Sequence, residues 1–263
     1  MQIDTEGLSY VVVARVASVT LTRPETLNLL TADILRRLHE IAAELASNVD
    51  VDVLTITSTG TSCFSTGILT PALRGSLSKP DVLSLIRLAN EAFDAIEALP
   101  QIVIAGLNGM VRAGAGELAL ACDIRIAGNH VTWSSPEAKW GGFPGVGAPV
   151  RLPRIVGMGR ALDILCTGRE IDAREMERIG LADVVVGLDV LHDTLTGMAR
   201  TIADNGPLAT KGAKRIARER ETAGFAAARL LSDRLRAELE WASDVDEGIA
   251  AVREGRKPKF SGR

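Results

Sequence analysis

The chain has 263 residues, enough for one large domain or a domain with an appendage, and at that length roughly 70–75% of the unfolded surface can be buried. Hydrophobic residues make up 46% and aromatics only 3%, so the core must be mostly Ala, Val, Leu and Ile, and a base-stacking nucleic-acid surface is disfavoured. A formal charge of −3 argues against a polyanionic partner, while leaving room for local basic patches that hold a small phosphorylated ligand.

The β-branched runs 8–15 and 16–22 predict an early hairpin, although no strong turn signal joins them. From Thr31, a helix N-cap, Ile34, Leu35, Leu38, Ile41, Ala42 and Leu45 fall at helical spacing and give one apolar stripe. A strand over 51–57 leads to a polar loop, 58–70, which carries Phe64-Ser65-Thr66-Gly67-Ile68-Leu69 and could aim backbone N–H groups at a ligand. Pro80 suits the first turn of a helix that stops before Pro100, and a strand over 102–107 follows. Residues 108–117 read as a glycine turn opening a short helix. Strand-like runs at 124–127 and 131–133, a second glycine turn at 141–147 and a helix over 149–156 come next. Asp172 and Glu175 make a capping box for a helix ending at Ile179-Gly180. Beyond Leu188 the pattern is helical, with breaks near Gly206-Pro207, Gly224 and Ser243-Asp244, the last read as a capping box with Glu247. Phe225, Ala228, Leu231, Leu235, Leu239 and Ala242 keep a spacing suited to packing on a core or on another subunit. Arg253, Arg256, Lys257 and Lys259 read as a solvated tail.

Cys63, Cys122 and Cys166 are odd in number and widely spaced, which argues against a disulfide framework or zinc site and for core thiols. No signal pattern or bilayer-length apolar run is present, so a cytoplasmic protein that neither spans nor binds a membrane is expected. His39 and His192 lie in helical segments and His130 in a turn. No Ser-His-Asp or Cys-His spacing and no G-x-S-x-G elbow can be read, so carboxylate chemistry remains.

That chemistry concentrates in residues 108–147, where Glu117 and Glu137 stand beside two glycine-rich turns. A helix start there offers unpaired N–H groups and a positive dipole end, the outline of a site for an oxygen that gains negative charge. Gly114-Ala115-Gly116-Glu117-Leu118-Ala119 also fits a dinucleotide fingerprint with Glu137 about twenty residues on. Six residues separate those glycines from the preceding strand, however, and Glu137 lies well past the next one, so the fingerprint is disfavoured.

Several ordered motifs together resemble the crotonase, or enoyl-CoA hydratase/isomerase, superfamily over nearly the whole chain. They are Leu21-Thr22-Arg23-Pro24 with Leu27-Asn28; Phe64-Ser65-Thr66-Gly67; Asn108-Gly109 through Gly116-Glu117-Leu118-Ala119 to Cys122-Asp123-Ile124; Ser135-Pro136-Glu137; Pro144-Gly145; Arg151-Leu152-Pro153; Thr167-Gly168-Arg169; Gly180-Leu181-Ala182; and Asp246-Glu247-Gly248-Ile249 before Arg256-Lys257-Pro258. The resemblance implies an α/β fold, a spiral of ββα units over 1–195 holding the active site, and a C-terminal helical region, 196–263, for assembly into a homotrimer or dimer of trimers. It implies an acyl-CoA thioester substrate, with coenzyme A present only as part of that substrate and no permanently bound cofactor or metal.

The resemblance also assigns residues. The two backbone N–H groups that bind the thioester oxygen match Thr66 and Gly114. Glu117 matches the base that activates water and Glu137 the acid toward the α-carbon, and keeping both favours a hydratase over an isomerase. Arg23, Leu27, Thr66, Gly67, Ile68, Leu69, Gly114 and Gly145 are expected to bind substrate, Arg23 through its charge and fork and Gly145 through an N–H toward the water. Residues 73–85 and 140–143 are expected to build the acyl pocket. Leu69 stands where the family has aspartate, Arg112 where it has an apolar residue and Val252 where phenylalanine is usual, while Ala113 and Ala115 replace glycines flanking the oxyanion position. At positive φ each alanine would cost roughly 1–2 kcal/mol. Isomerisation of a 3-enoyl-CoA, or a catalytically weak acyl-CoA-binding role, is the alternative.

Overall fold

A computed structural model describes residues 2–263. Gln2–Thr5 (β1), Leu8–Val13 (β2) and Val16–Leu21 (β3) form an antiparallel meander. The β2–β3 turn is Ala14-Arg15 with φ of 46° and 67°, the backbone that a primed hairpin turn requires and that Asn-Gly ordinarily announces. An ion pair from Arg15 to the fully buried Asp52 accompanies that conformation. Thr31 caps α1 (Ala32–Ala46) by accepting the Ile34 N–H, and all six residues of the expected stripe are buried.

The chain then repeats one unit: a strand in the large sheet, a short strand in a second sheet, and helix. The first turn is β4 (Val53–Ser58), β5 (Cys63–Ser65), α2 (Pro71–Ser76) and α3 (Lys79–Glu97). The second is β6 (Ile102–Leu107), β7 (Met110–Arg112) and α4 (Gly114–Ala121). The third is β8 (Ile124–Gly128), β9 (Thr132–Ser134), α5 (Ala148–Val156) and α6 (Met158–Thr167). After β10 (Glu170–Asp172), α7 (Ala173–Arg178) and β11 (Val184–Val186), the chain is helical: α8 (Leu188–Ala203), α9 (Pro207–Thr222), α10 (Gly224–Glu240) and α11 (Ser243–Glu254). The large sheet has order β1-β2-β3-β4-β6-β8-β11 and is parallel from β3 onward. The small sheet has order β10-β9-β7-β5. Each repeat steps one strand along both sheets, which is the expected spiral of ββα units.

Of the short strands, sequence reading found β9, expected at 131–133, and missed β5 and β7. Cys63, Phe64 and Ser65 are all buried, so no polar–apolar alternation marks β5, and residues 58–70 read as loop. β7, only three residues long, was hidden inside the glycine turn at 108–117, and α2 had no apolar stripe to reveal it.

A second core cluster joins Val53, Ile104 and Ile126 of the sheet to Leu191, Leu195, Ala199 and Ala203 of α8. The expected division between 195 and 196 therefore falls inside one helix whose two halves cover the same sheet face. α9 is pinned to the sheet by charge: Asp123 accepts from Lys214 Nζ (2.5 Å), Arg218 (3.1 Å) and the Val103 N–H (2.8 Å), and Lys214 also donates to the Gln101 carbonyl (2.7 Å). The C-terminal breaks fall where expected, but the capping box at Asp244 and Glu247 does not form. Asp244 instead accepts the N–H groups of Ser261 and Gly262, and Glu247 holds Arg256 and the Lys259 N–H, folding the basic tail back onto α11. Cys63 and Cys122 are buried as expected, whereas Cys166 is exposed. Among the described residues no helix is long and apolar enough to cross a membrane.

Replacing Asp123 by alanine strands the buried Lys214 ammonium and leaves the Val103 N–H unpaired. The expected loss is about 3–5 kcal/mol of unfolding free energy, measured by urea denaturation; a loss within error of zero would mean the cluster does not pin α9.

Candidate active site

β5, β7 and β9 run parallel, with Cys63 opposite Met110, Ser65 opposite Val111, and Arg112 opposite Ser134. Their C-terminal ends therefore emerge side by side, and the segments that follow them, 66–70, 113–117 and 135–137, meet. The approach is close: a Cβ on Gly67, at φ +88°, would lie 2.7 Å from the Gly114 nitrogen and 2.8 Å from the Arg112 carbonyl. A Cβ on Gly114 would lie 2.9 Å from the Ile68 side chain, and one on Gly116 would lie 2.6 Å from the Trp133 ring. The glycines of the apparent dinucleotide fingerprint thus let a loop and an indole pack against the start of α4.

The donors at this junction differ from the expected pair. The Thr66 N–H is spent on the Leu27 carbonyl (3.0 Å) and the Gly67 N–H on Ser65 Oγ (3.0 Å). The Ile68 N–H has no acceptor among the described residues. It faces Gly114, whose own N–H, at the first position of α4, has no partner within the helix. The thioester-oxygen donor assigned to Thr66 is corrected on this geometry: the unspent N–H is that of Ile68, two residues later.

Glu117, 2% exposed, projects from the first turn of α4. Its Oε1 accepts the N–H groups of Val146 (2.7 Å) and Ala148 (3.0 Å). Burial pushes its carboxyl above the usual range, and those two N–H groups together with the Arg151 charge oppose the rise. Glu137 stands in the 3-10 turn Pro136–Trp140, and its Oε2 is buried with no hydrogen-bond partner among the described residues. Burial pushes its pKa up to about 7, its own backbone N–H working against the rise and the nearby Glu117 charge adding to it. The two carboxyls face one cavity of about 230 Å³, whose walls include Ile68, Gly114, Val82 and Phe143.

Leu69 and Gly145 also line this cavity, as do Arg74, Val82, Trp140 and Phe143 from the stretches expected to form an acyl pocket. Arg23 and Leu27 lie outside it. Arg23 pairs with Glu6 (3.3 Å) and Glu25 (3.5 Å), and Leu27 is half exposed with φ 55°. Asn28, which sequence reading left out of the site, is fully buried: it accepts the Arg23 N–H and donates to the Thr59 and Cys63 carbonyls, fixing the turn whose Leu27 carbonyl takes the Thr66 N–H. The only signal was the asparagine of the Leu27-Asn28 motif. His130 bridges the Thr61 and Asn108 carbonyls, a structural role. Arg112 pairs loosely with Glu170 (3.6 Å) and Val252 is exposed. Ala113 does sit at positive φ (52°, ψ −129°), but Ala115 is helical, so only one of the two suspected alanines is strained.

The chain matches the family described as enoyl-CoA hydratase/isomerase over residues 12–263. The chain belongs to that family. It is 34% identical over 206 residues to the short-chain-enoyl-CoA hydratase of Clostridium acetobutylicum, covering 76% of each chain. It is 32% identical over 246 residues to the crotonyl-CoA hydratase of Syntrophomonas wolfei, covering 94% of each. The crystal structure of an enoyl-CoA hydratase from Bacillus anthracis superposes with a TM-score of 0.93 at 29% identity, over 98% of this chain and 100% of that one. The fold, its C-terminal helices and the enzyme class expected from the motifs therefore stand.

Two predictions follow from the geometry. Ala113→Gly relieves a conformation that suits glycine and should raise stability by about 1 kcal/mol, read from chemical denaturation; a loss of stability would mean the Ala113 methyl packing outweighs its strain. Glu137 binds a proton more tightly folded than unfolded, so its contribution to stability is present at low pH and is lost as pH rises through about 7. Glu137→Gln should accordingly gain stability relative to the wild type between pH 5 and 8, and a pH-independent difference would show that Glu137 is not held neutral.

Proposed function

We propose that this enzyme adds water across the conjugated double bond of a 2-enoyl-CoA thioester. The observation that carries the reading is the inequality of the two carboxyls: Glu117 receives two backbone N–H donors and is fitted to be the anion, while Glu137 has an unpartnered oxygen and a pKa near 7 and is fitted to hold a proton. Glu117 takes a proton from water as its oxygen bonds to C3, and the C2–C3 π electrons move toward the thioester, building an enolate. The Ile68 and Gly114 N–H groups hold the enolate oxygen, each such donor being typically worth ~2.7–4 kcal/mol of barrier. The Glu137 proton then passes to C2 and the carbonyl re-forms. Water has been added without any electron acceptor, and proton exchange with solvent restores the starting charges. In this reading Gly145, on the cavity wall, offers its N–H to the water.

The same reading makes coenzyme A part of the substrate alone. It gives α10 and α11 to self-association as a homotrimer or dimer of trimers, supported by the exposed Phe225, Leu230, Trp241 and Val252.

The test is hydration of a short 2-enoyl-CoA, followed as loss of the conjugated thioester absorbance. Glu117→Gln and Glu137→Gln should each lower kcat by about 10²–10⁴-fold. The wild-type kcat should fall as pH rises through about 7, where Glu137 loses its proton. Turnover that survives either substitution would instead indicate double-bond migration in a 3-enoyl-CoA, which needs one carboxylate.

A further inference from the structure

The two N–H groups given to Glu117 come from an irregular turn and from the first residue of α5, and that segment is fixed on its far side. Arg151, on the first turn of α5 and 3% exposed, donates through Nη1 to the Val146 carbonyl (2.9 Å). Its other two nitrogens reach α3, Nε to Glu97 (2.6 Å) and Nη2 to Asp94 (2.5 Å). One peptide earlier, Asn90 of the same helix donates to the Gly145 carbonyl (3.1 Å). The carbonyls of Gly145 and Val146 are thus both tied to α3, directly or through Arg151, while the N–H of Val146, between them, points at Glu117. Gly147, at φ +112°, shows how closely the guanidinium is fitted: a Cβ there would lie 1.9 Å from Arg151 Nη1.

We infer that Arg151 is a positioning residue for the reaction, orienting Glu117 through the Val146 carbonyl and the two N–H groups of the turn; this rests on Glu117 being the base. A planar fork is required, because three separate nitrogens each serve a different acceptor, and a lysine can supply the charge but not the three directions. Arg151 itself is not among the residues that line the cavity, so substrate binding is not expected to depend on it directly. Its second effect is electrostatic. It is the charged group that opposes the effect of burial on Glu117, so removing it should make the Glu117 carboxyl harder to ionise.

The experiment compares the wild type, Arg151→Met and Arg151→Lys, each alone and combined with Glu117→Gln. Its readouts are the pH dependence of 2-enoyl-CoA hydration, KM, the melting temperature, and the titration of the Glu117 carboxyl by ¹³C NMR. Arg151→Met should lower kcat by about 10²-fold, the size expected when a reacting group is displaced by about 1 Å, with KM changed less than threefold. The acid limb of its pH profile should move to higher pH. Arg151→Lys should keep the acid limb near its wild-type position but recover only part of kcat, and it serves as the folded variant if Arg151→Met does not fold. In the Glu117→Gln background neither change should lower kcat further.

An unshifted Glu117 titration in both variants would overturn the inference. So would an equal loss of kcat with and without Glu117, since that is what a purely structural arginine would give. If Glu117→Gln leaves hydration intact while the Glu117 carboxyl of the otherwise wild-type chain still responds to Arg151, the role of Glu117 in the reaction fails and only the coupling between Arg151 and that carboxyl stands.

Discussion

Two carboxyl groups buried in one small cavity oppose each other's ionisation, and the arrangement of this structure follows from that constraint. Burial raises both pKa values, so the fold has to decide which group carries the charge. Val146 and Ala148 donate to Glu117, with the Arg151 charge behind them, and among the described residues nothing donates to the Glu137 Oε2. Peptide N–H groups favour the anion without adding a net charge.

The scaffold delivers these parts by repetition. Each ββα unit ends a short strand at the same edge of the small sheet, so three successive units contribute three successive pieces. The first brings the Gly67–Ile68 turn, the second Gly114 and Glu117, and the third Glu137 followed by the 145–148 turn. Because β5, β7 and β9 are hydrogen-bonded neighbours, these pieces are spaced by strand separation, about 4.8 Å. That separation is too short for ordinary side chains between the first and second pieces, which is why Gly67 and Gly114 are glycines where their backbones cross. Ala113 shows the limit of that tolerance. It holds a glycine-like backbone conformation because the strand β7 on one side and the helix α4 on the other fix the direction of the chain.

Much of this was legible in the residues. The α1 stripe, the strand over 102–107, the helix breaks after Leu188 and the Asp172 cap were all readable because each is a local signal with a period or a capping side chain. The small sheet was legible only at β9, expected as 131–133; β5, β7 and β10 are three residues long, too short for a period to stand out. The site shows the same division. Glu117 and Glu137 stood out as carboxyls beside glycine turns, whereas the N–H expected to be free at Thr66 is spent and that of Ile68 is not. Which N–H is free depends on the Leu27 carbonyl having already taken that of Thr66. A backbone group has no letter in the sequence, and its availability is set by a partner 39 residues away.

α3 shows how a functional role can hide in a structural pattern. Its buried stripe, Val82, Ala89, Ala92, Phe93 and Ile96, reads as plain core packing and is that. Its polar residues Asn90, Asp94 and Glu97 follow a 4-then-3 spacing, which puts them in one line along the edge of that stripe. That line is the surface to which the 145–151 segment is tied, by Asn90 at Gly145 and by Asp94 and Glu97 at Arg151. A helix already locked in place by its apolar face is a rigid reference, so fastening an irregular turn to its edge transfers that rigidity to two N–H groups. The precision of the carboxylate at Glu117 is then inherited from hydrophobic packing one layer away, through hydrogen bonds that reach the cavity wall from behind.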